Sequence, residues 1–226
     1  MAISQRISEI INTITYSYEN IWDTCCDHGL VGYQLLNQVP ESKIHFVDIV
    51  PHIIHKVENT LNTKHPEQNW QCHLQCIKSL PIDKIGDNHL IIIAGVGGDL
   101  IAEFVSSLQS KFAGLNIDFL LCGVNHNYTL RQKLNHLPLN LINEQLITDN
   151  NRFYEVIYVS NHKKPNSTIN VIGHKIWQYS NEQERLIRVR YLEQLITHYK
   201  KVCYANDQFK FALSSYQSKL EEILNS

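Results

Sequence analysis

Asp23-Thr24-Cys25-Cys26-Asp27-His28-Gly29 places two carboxylates four residues apart, where the apolar run Ile21-Trp22-Asp23 gives way to a polar turn. If that run is a strand of an open α/β sheet, the turn sits at its carboxyl edge, where such folds hold their ligands. Asp23 is then placed to receive an ammonium group, and Asp27 projects into the pocket mouth. The competing reading is a tight turn in which Asp27 caps the helix beginning near Leu30, since Asp is a favoured capping residue. The turn departs from G-x-G-x-x-G, so it carries no dinucleotide fingerprint. Asp48 ends a second apolar run, 25 residues beyond Asp23. That spacing suits an acid accepting the hydroxyls of an adenosine ribose, the alternative being a solvated strand-end carboxylate. Ala94-Gly95-Val96-Gly97-Gly98 follows an Ile-rich strand. Its glycines permit positive φ and close approach of backbone to a ligand. It lacks the Lys-Ser/Thr of a phosphate loop, and Asp99 follows, so an uncharged ligand face is expected.

Two clusters invite a metal: Cys25, Cys26 and His28, and Cys72, His73 and Cys76. Neither contains the C-x-x-C pair that zinc sites favour, and Cys72 and Cys76 on one regular strand stand too far apart to chelate. Buried thiols and no metal are expected. All six cysteines should be reduced, because the adjacent Cys25 and Cys26 are poorly disposed to pair and the remaining spacing suggests no disulfide scaffold. Asn125 and His126, after the apolar run 119–123, either line the pocket or simply end a strand.

The elements that must position these groups follow from hydrophobic periodicity. Apolar residues at 3, 7, 10, 11 and 14 behind Ser4 predict an amphipathic opening helix. Strands are predicted at 21–23, 44–48, 70–74, 90–94 and 119–123, with helices over 30–39, 51–61, 99–108 and 128–137. Residues 139–147 and 153–159 read as a hairpin, because the five residues between them are too few for a helical crossover. Five strand–helix units and a hairpin describe an α/β, Rossmann-like, mostly parallel seven-stranded sheet with a reversed edge strand. The polar stretch 163–168 reads as a linker. Beyond it, apolar residues at 189, 192, 196, 199 and 203, and again at 209, 213, 216, 220 and 223, form two seams out of register. With Asn206-Asp207 as turn and cap, they predict an antiparallel helical hairpin. The expected division is a ligand-binding domain at 1–162 and a helical one at 163–226.

The 226 residues, 43% apolar and 19% charged, suffice for a substantial core and exclude disorder. The longest apolar stretches fall well short of the roughly 18 residues of a membrane span. No signal-like segment opens the chain, so a cytoplasmic protein is expected. The net charge of −2 argues against a coat of nucleic acid or membrane by bulk electrostatics. It hides an asymmetry: residues 1–160 carry 10 basic against 16 acidic side chains, the remainder 10 against 6. Arg185, Arg188, Arg190, Lys200 and Lys201 form either a basic face or an ordinary solvated helix surface.

In order and spacing, Ile3-Ser4-Gln5-Arg6-Ile7, Asp23 through Asp27-His28, Asp48, Ile93-Ala94-Gly95-Val96-Gly97-Gly98 and Tyr154-Glu155-Val156 together resemble the bacterial tRNA (adenine-N1)-methyltransferases acting at tRNA position 22, the TrmK type. The resemblance spans nearly the whole chain. It implies S-adenosylmethionine as cofactor and tRNA as partner; separately, no membrane partner is expected, and the chain is expected to be a monomer or weak homodimer. It further implies Asp27 as the catalytic carboxylate and cofactor contacts at Asp23, Cys25, His28, Gly29, Asp48, Ile49, Cys76, Ile77, Ala94, Gly95, Val96 and Gly97. Substrate contacts fall to Gly98, Asn125, Arg185, Arg188, Lys200 and Lys201. Three departures stand out. Cys25 occupies the loop-glycine position, Cys76-Ile77 replaces an acidic-glycine pair, and Gly123-Val124-Asn125 replaces Gln-Pro-Asn. The alternatives are a methyltransferase of this fold on another RNA or a small molecule, or a non-catalytic RNA-binding module.

Overall fold

The computed structural model describes residues 3–163, 168–205 and 207–225. The chain divides into two compact units, Met1–Ile169 and Asn170–Ser226. The predicted linker includes residues 164–167, and the predicted cap Asn206 is likewise outside the described residues.

In the first unit, helix α1 (Gln5–Asn12) starts at Ser4, whose side chain accepts the Ile7 N–H as the capping rule requires. Seven strands follow: β1 (Asn20–Thr24), β2 (Lys43–Asp48), β3 (Trp70–Leu74), β4 (Asn88–Ala94), β5 (Asn116–Gly123), β6 (Asn140–Asp149) and β7 (Arg152–Ser160). They form one sheet in the order β3-β2-β1-β4-β5-β7-β6. The first five are mutually parallel, and β7 runs antiparallel to both β5 and β6. The reversed strand β7 therefore sits one place inside the sheet edge, with β6 outside it. Strands β4 and β5 carry unbroken apolar runs at 90–94 and 119–122 because both their faces are covered.

Helices α2 (Leu30–Gln38) and α3 (Pro51–Lys64) join α1 over one face, where Ile10, Leu35, Phe46, Ile54 and Ile92 share a core. Helices α4 (Gly98–Lys111) and α5 (Asn127–Asn135) cover the other, against Ile91, Ile93, Phe119 and Ile157. The order of the sheet reverses between β1 and β4, so the loops leaving these two strands flank a crevice at the carboxyl edge.

Three sequence expectations are corrected here. The five expected strand–helix units are four, because the third strand is followed by two single 3₁₀ turns, Ile77–Ser79 and Ile82–Lys84. Pro81 falls between them, and Ile77, Leu80 and Ile82 plug the core directly. The hairpin loop shrinks to Asn150 and Asn151, both at positive φ (50° and 60°), the geometry of a tight two-residue hairpin turn. Cys76 lies beyond β3 and opens the first 3₁₀ turn, so it shares no strand with Cys72.

In the second unit, α6 (Glu182–Val202) and α7 (Asp207–Leu224) form a hairpin. Arg185 near the start of α6 donates to the Ile223 carbonyl near the end of α7 at 3.2 Å, which makes the pair antiparallel. Its seam buries Leu192, Ile196 and Tyr199 against Ala212, Tyr216 and Ile223, with Tyr199 stacked on Tyr216.

Candidate active site

The loops after β1, β2, β4 and β5 meet at the carboxyl edge. Asp23, in the last turn of strand before the loop, is buried, and its Oδ2 accepts the Gly32 N–H of α2 at 2.9 Å. The carboxylate that satisfies the first turn of α2 is thus Asp23. Asp27 makes no such bond, and the N-cap of α2 is Gly29, at φ +69°. The Asp27 side chain is instead exposed, with its Oδ1 2.7 Å from His28 Nδ1. Asp48 joins two loops: its Oδ1 accepts the Val50 N–H at 3.0 Å and its Oδ2 the Asp27 N–H at 3.3 Å.

Burial pushes the Asp23 carboxyl up to about 7, the negative charge of Asp48 adds to this, and the Gly32 N–H opposes it. Among the described residues that N–H is its one hydrogen-bond partner, so a cation reaching Asp23 would relieve the cost of its ionisation. Burial also raises the Cys25 thiol to about 11 and the Cys26 thiol further, so neither is a thiolate nucleophile or ready ligand. Among the described residues no group of three His, Cys, Asp or Glu is placed to hold a metal ion.

The glycine loop is held from behind. The Gly95 N–H donates to the Cys122 carbonyl at 3.2 Å, the Val124 N–H to Val96 at 3.0 Å and the Gly98 N–H to Asn125 at 3.0 Å. Gly95, at φ +84°, has no heavy atom within 4 Å of where a Cβ would stand. A ligand can therefore lie directly on its backbone. Backbone strain gathers at the same edge: Cys25, Asp27 and His126 all hold positive φ without being glycine. Cys25 thus adopts, at φ 52°, the conformation for which a glycine is the ordinary choice.

A cavity of about 230 Å³ brings Asp23, Cys25, Asp27, His28, Ala94 and Gly95 together. It also includes Arg6 of α1, which the sequence motifs do not single out as a site residue. Its guanidinium lies 4.9 Å from the centre of the Tyr154 ring, and its Nε is buried with no partner among the described residues. The signal was the Ile-Ser-x-Arg pattern, which sets Arg6 beside the buried Ile7 on a short helix.

Other predicted site residues fall elsewhere. Ile77 is 3% exposed and packs in the core, whereas Ile49 is 67% exposed. Gly98 is buried, and a Cβ on it would stand 2.6 Å from the His126 carbonyl oxygen, so its place is packing against the β5–α5 turn. Asn125 is exposed, with its Oδ1 2.9 Å from the corresponding position on Gly97. In the second unit, Arg185 forms a two-point pair with Glu182, and Arg188 donates to the Gln178 and Glu184 carbonyls. Lys200 and Lys201 are exposed near the end of α6.

The model of a methyltransferase domain family matches residues 3–157, which contain every one of these loops. The chain belongs to that methyltransferase family. No curated protein matches it by sequence. Among solved structures, a Streptococcus pneumoniae protein described as a candidate tRNA (m1A22) methyltransferase superimposes with a TM-score of 0.75 at 18% identity, covering 99% of this chain and 100% of its own. The Bacillus subtilis m1A22 tRNA methyltransferase TrmK gives 0.70 at 17% identity, with 99% and 98% covered. TrmK of M. capricolum in complex with S-adenosyl-homocysteine gives 0.70 at 16%, with 100% and 97% covered. At such identities the likeness establishes the fold, here including the C-terminal helices as well as the methyltransferase sheet.

Proposed function

We propose that this methyltransferase transfers a methyl group from S-adenosylmethionine to N1 of an adenosine in tRNA, at position 22. The observation that carries the reading is the pairing of a full-length likeness to the tRNA (m1A22) enzymes with the carboxyl-edge cavity that joins Asp23, Asp27 and Gly95. The residues present suit the cofactor: Asp23 offers a buried carboxylate with a single N–H partner, and Gly95 leaves open space over its backbone. When bound, S-adenosylmethionine supplies an electrophilic methyl group on a sulfonium.

The chain's own residues do the rest. Asp23 holds the ammonium of the amino-acid moiety, and Asp48, fixed by two backbone N–H groups, presents its remaining lone pairs to ribose hydroxyls. Adenine N1 carries an in-plane lone pair, so transfer chiefly requires alignment and stabilisation of the positive charge that grows on the ring. Asp27, held beside His28 at the pocket mouth, accepts a hydrogen bond from N6 and meets that charge. No Asn/Asp-Pro-Pro-aromatic motif favours methylation at N6 instead. Reaching N1 in folded RNA requires the base to leave its stack. In this reading residues 1–162 bind the cofactor and 163–226 contribute to holding tRNA, in the cytoplasm, as a monomer or weak homodimer.

The test is incubation with unmodified tRNA and labelled cofactor, with reverse-transcription stops mapping the product. Transfer to no tRNA overturns the substrate assignment. Asp27→Asn should bind the cofactor within about twofold of wild type and lose at least about 100-fold in turnover. Full turnover in this variant removes Asp27 from the reaction.

A further inference from the structure

A groove of about 680 Å³ opens at Asp27 and His28 and runs between α2 and α3 on the outside of the first unit. Its lining contrasts with the unit around it. Residues 1–160 are net acidic, yet the groove's one carboxylate is Asp27 at its mouth, and Lys56, Lys64, His52 and His65 line the remainder. Helix α2 has no acidic residue. Glu58, the one acid of α3, lies off the groove and acts electrostatically on Cys72. Lys56 and Lys64 are exposed and make no ion pair among the described residues, whereas Lys78 and Lys133 on the opposite face pair with Glu103 and Asp99. The wall of the groove includes Tyr33 of α2 and His65 at the end of α3, stacked with ring centres 5.8 Å apart at 15°. The 14 residues of α3 span about 21 Å, long enough for several nucleotides of backbone.

We propose that this groove holds the RNA strand flanking the target adenosine, with Lys56 and Lys64 meeting its phosphates and the Tyr33–His65 stack packing against a sugar or base. The inference rests on the tRNA reading above and adds to it a binding surface in the sheet-bearing unit. A polyanion is the partner that two unpaired lysines suit, and aromatic walls beside cations are how single-stranded RNA is gripped without sequence readout. The opening at Asp27 places that strand next to the residue assigned to the reacting base. Arg185 and Arg188, by contrast, spend their guanidinium hydrogens on Glu182 and on backbone carbonyls.

The experiment compares wild type with the pairs Lys56→Gln/Lys64→Gln and Lys56→Glu/Lys64→Glu. Equilibrium binding of unmodified tRNA is measured across a potassium chloride series, with S-adenosylmethionine calorimetry and methyl transfer alongside. Both pairs should weaken tRNA binding at least about tenfold, the Glu pair more. The slope of log K against log salt should become shallower by about 1.4 to 1.8, as two phosphate contacts require, while cofactor affinity stays unchanged. Unchanged tRNA affinity and slope in both pairs, with wild type methylating tRNA, overturns the groove alone. A loss of cofactor affinity in step with the tRNA loss also overturns it, because neither lysine belongs to the cofactor loops. If wild type neither binds nor methylates tRNA, the functional reading fails and the groove assignment with it.

Discussion

Three histidines lie against Trp22 in the sheet, and hydrogen bonds fix two of them, His45 and His89, as neutral. Asn20 donates its amide N–H to the Ile85 carbonyl at 2.7 Å, so its Oδ1 is left to accept from His45 Nε2 at 3.0 Å. His45 Nδ1 must then accept from His73 Nε2, 2.9 Å away. His89 accepts the Trp22 indole N–H on Nδ1 and donates from Nε2 to the Gly86 carbonyl. A proton added to His45 or His89 would face an N–H donor, and His45 is wholly buried and stacked on Trp22. Burial, with the neighbouring His73, holds His45 down to about 3, and burial holds His73 down to about 4. Relative to an unfolded value near 6.5, the unfolded chain binds more protons than the folded one between about pH 6.5 and 3, so stability falls as pH falls through that window. At pH 5 His45 alone costs about 2 kcal/mol relative to pH 8, a large share of a stability of about 5–15 kcal/mol. Asp23 works the other way: its folded value, raised to about 7, makes the folded state the better proton binder and adds stability on acidification. The readout is therefore a difference between two proteins sharing Asp23. His45→Gln keeps a donor for Asn20 and an acceptor for His73 but cannot titrate. Urea unfolding at pH 8, 7, 6 and 5 should show the wild-type free energy dropping toward pH 5 by about 2 kcal/mol more than that of the variant. Parallel pH profiles would refute the tautomer argument.

Arg131 is fully buried between Glu144 and Glu155, each at 2.5 Å, so Arg131→Met should cost about 3–5 kcal/mol in urea unfolding by leaving two acids buried without their cation. Gly98→Ala forces a methyl group against the His126 carbonyl and should cost about 1–3 kcal/mol. Its effect on turnover should exceed that on cofactor affinity, because the turn it displaces carries Asn125.

The fold was legible because strands covered on both faces read as unbroken apolar runs. Ile91, Ile92 and Ile93 could be little else, and Ser4 and Pro51 marked helix starts with groups whose capping chemistry is local. What misled was the segment after β3. Ile77, Leu80 and Ile82 are spaced for burial, but two one-turn pieces around Pro81 satisfy the backbone where the rhythm of the other units suggested a helix. The hairpin turn is shorter than apolar periodicity suggests, and Asn150-Asn151 carries the signal for it, since Asn tolerates the left-handed region better than most residues. The Arg131 triad gave no sign at all: a lone Arg and two distant Glu read as surface until the sheet brings them together.

The carboxylates at the site show the limit most sharply. Asp23 and Asp27 were distinguishable in sequence by their place relative to the strand, but the division of roles between them was not. In sequence a helix cap and a ligand carboxylate are rival roles for Asp27, whereas in the fold Asp23 is the residue that meets an N–H of α2. One bond to that N–H does not use up a carboxylate, which has about four lone-pair sites. The same bond fixes the side chain in place, so the group that anchors α2 is also the one proposed to receive a cation. Asp27, freed from capping, stands exposed at positive φ with His28 beside it and its own N–H tied to Asp48. A backbone held in that conformation by Asp48 keeps Asp27 in the lining of the cavity and off the first turn of α2. Asp48→Ala should therefore weaken cofactor binding and also lower turnover at saturating cofactor. A pure affinity loss, with turnover intact, would sever Asp48 from the positioning of Asp27.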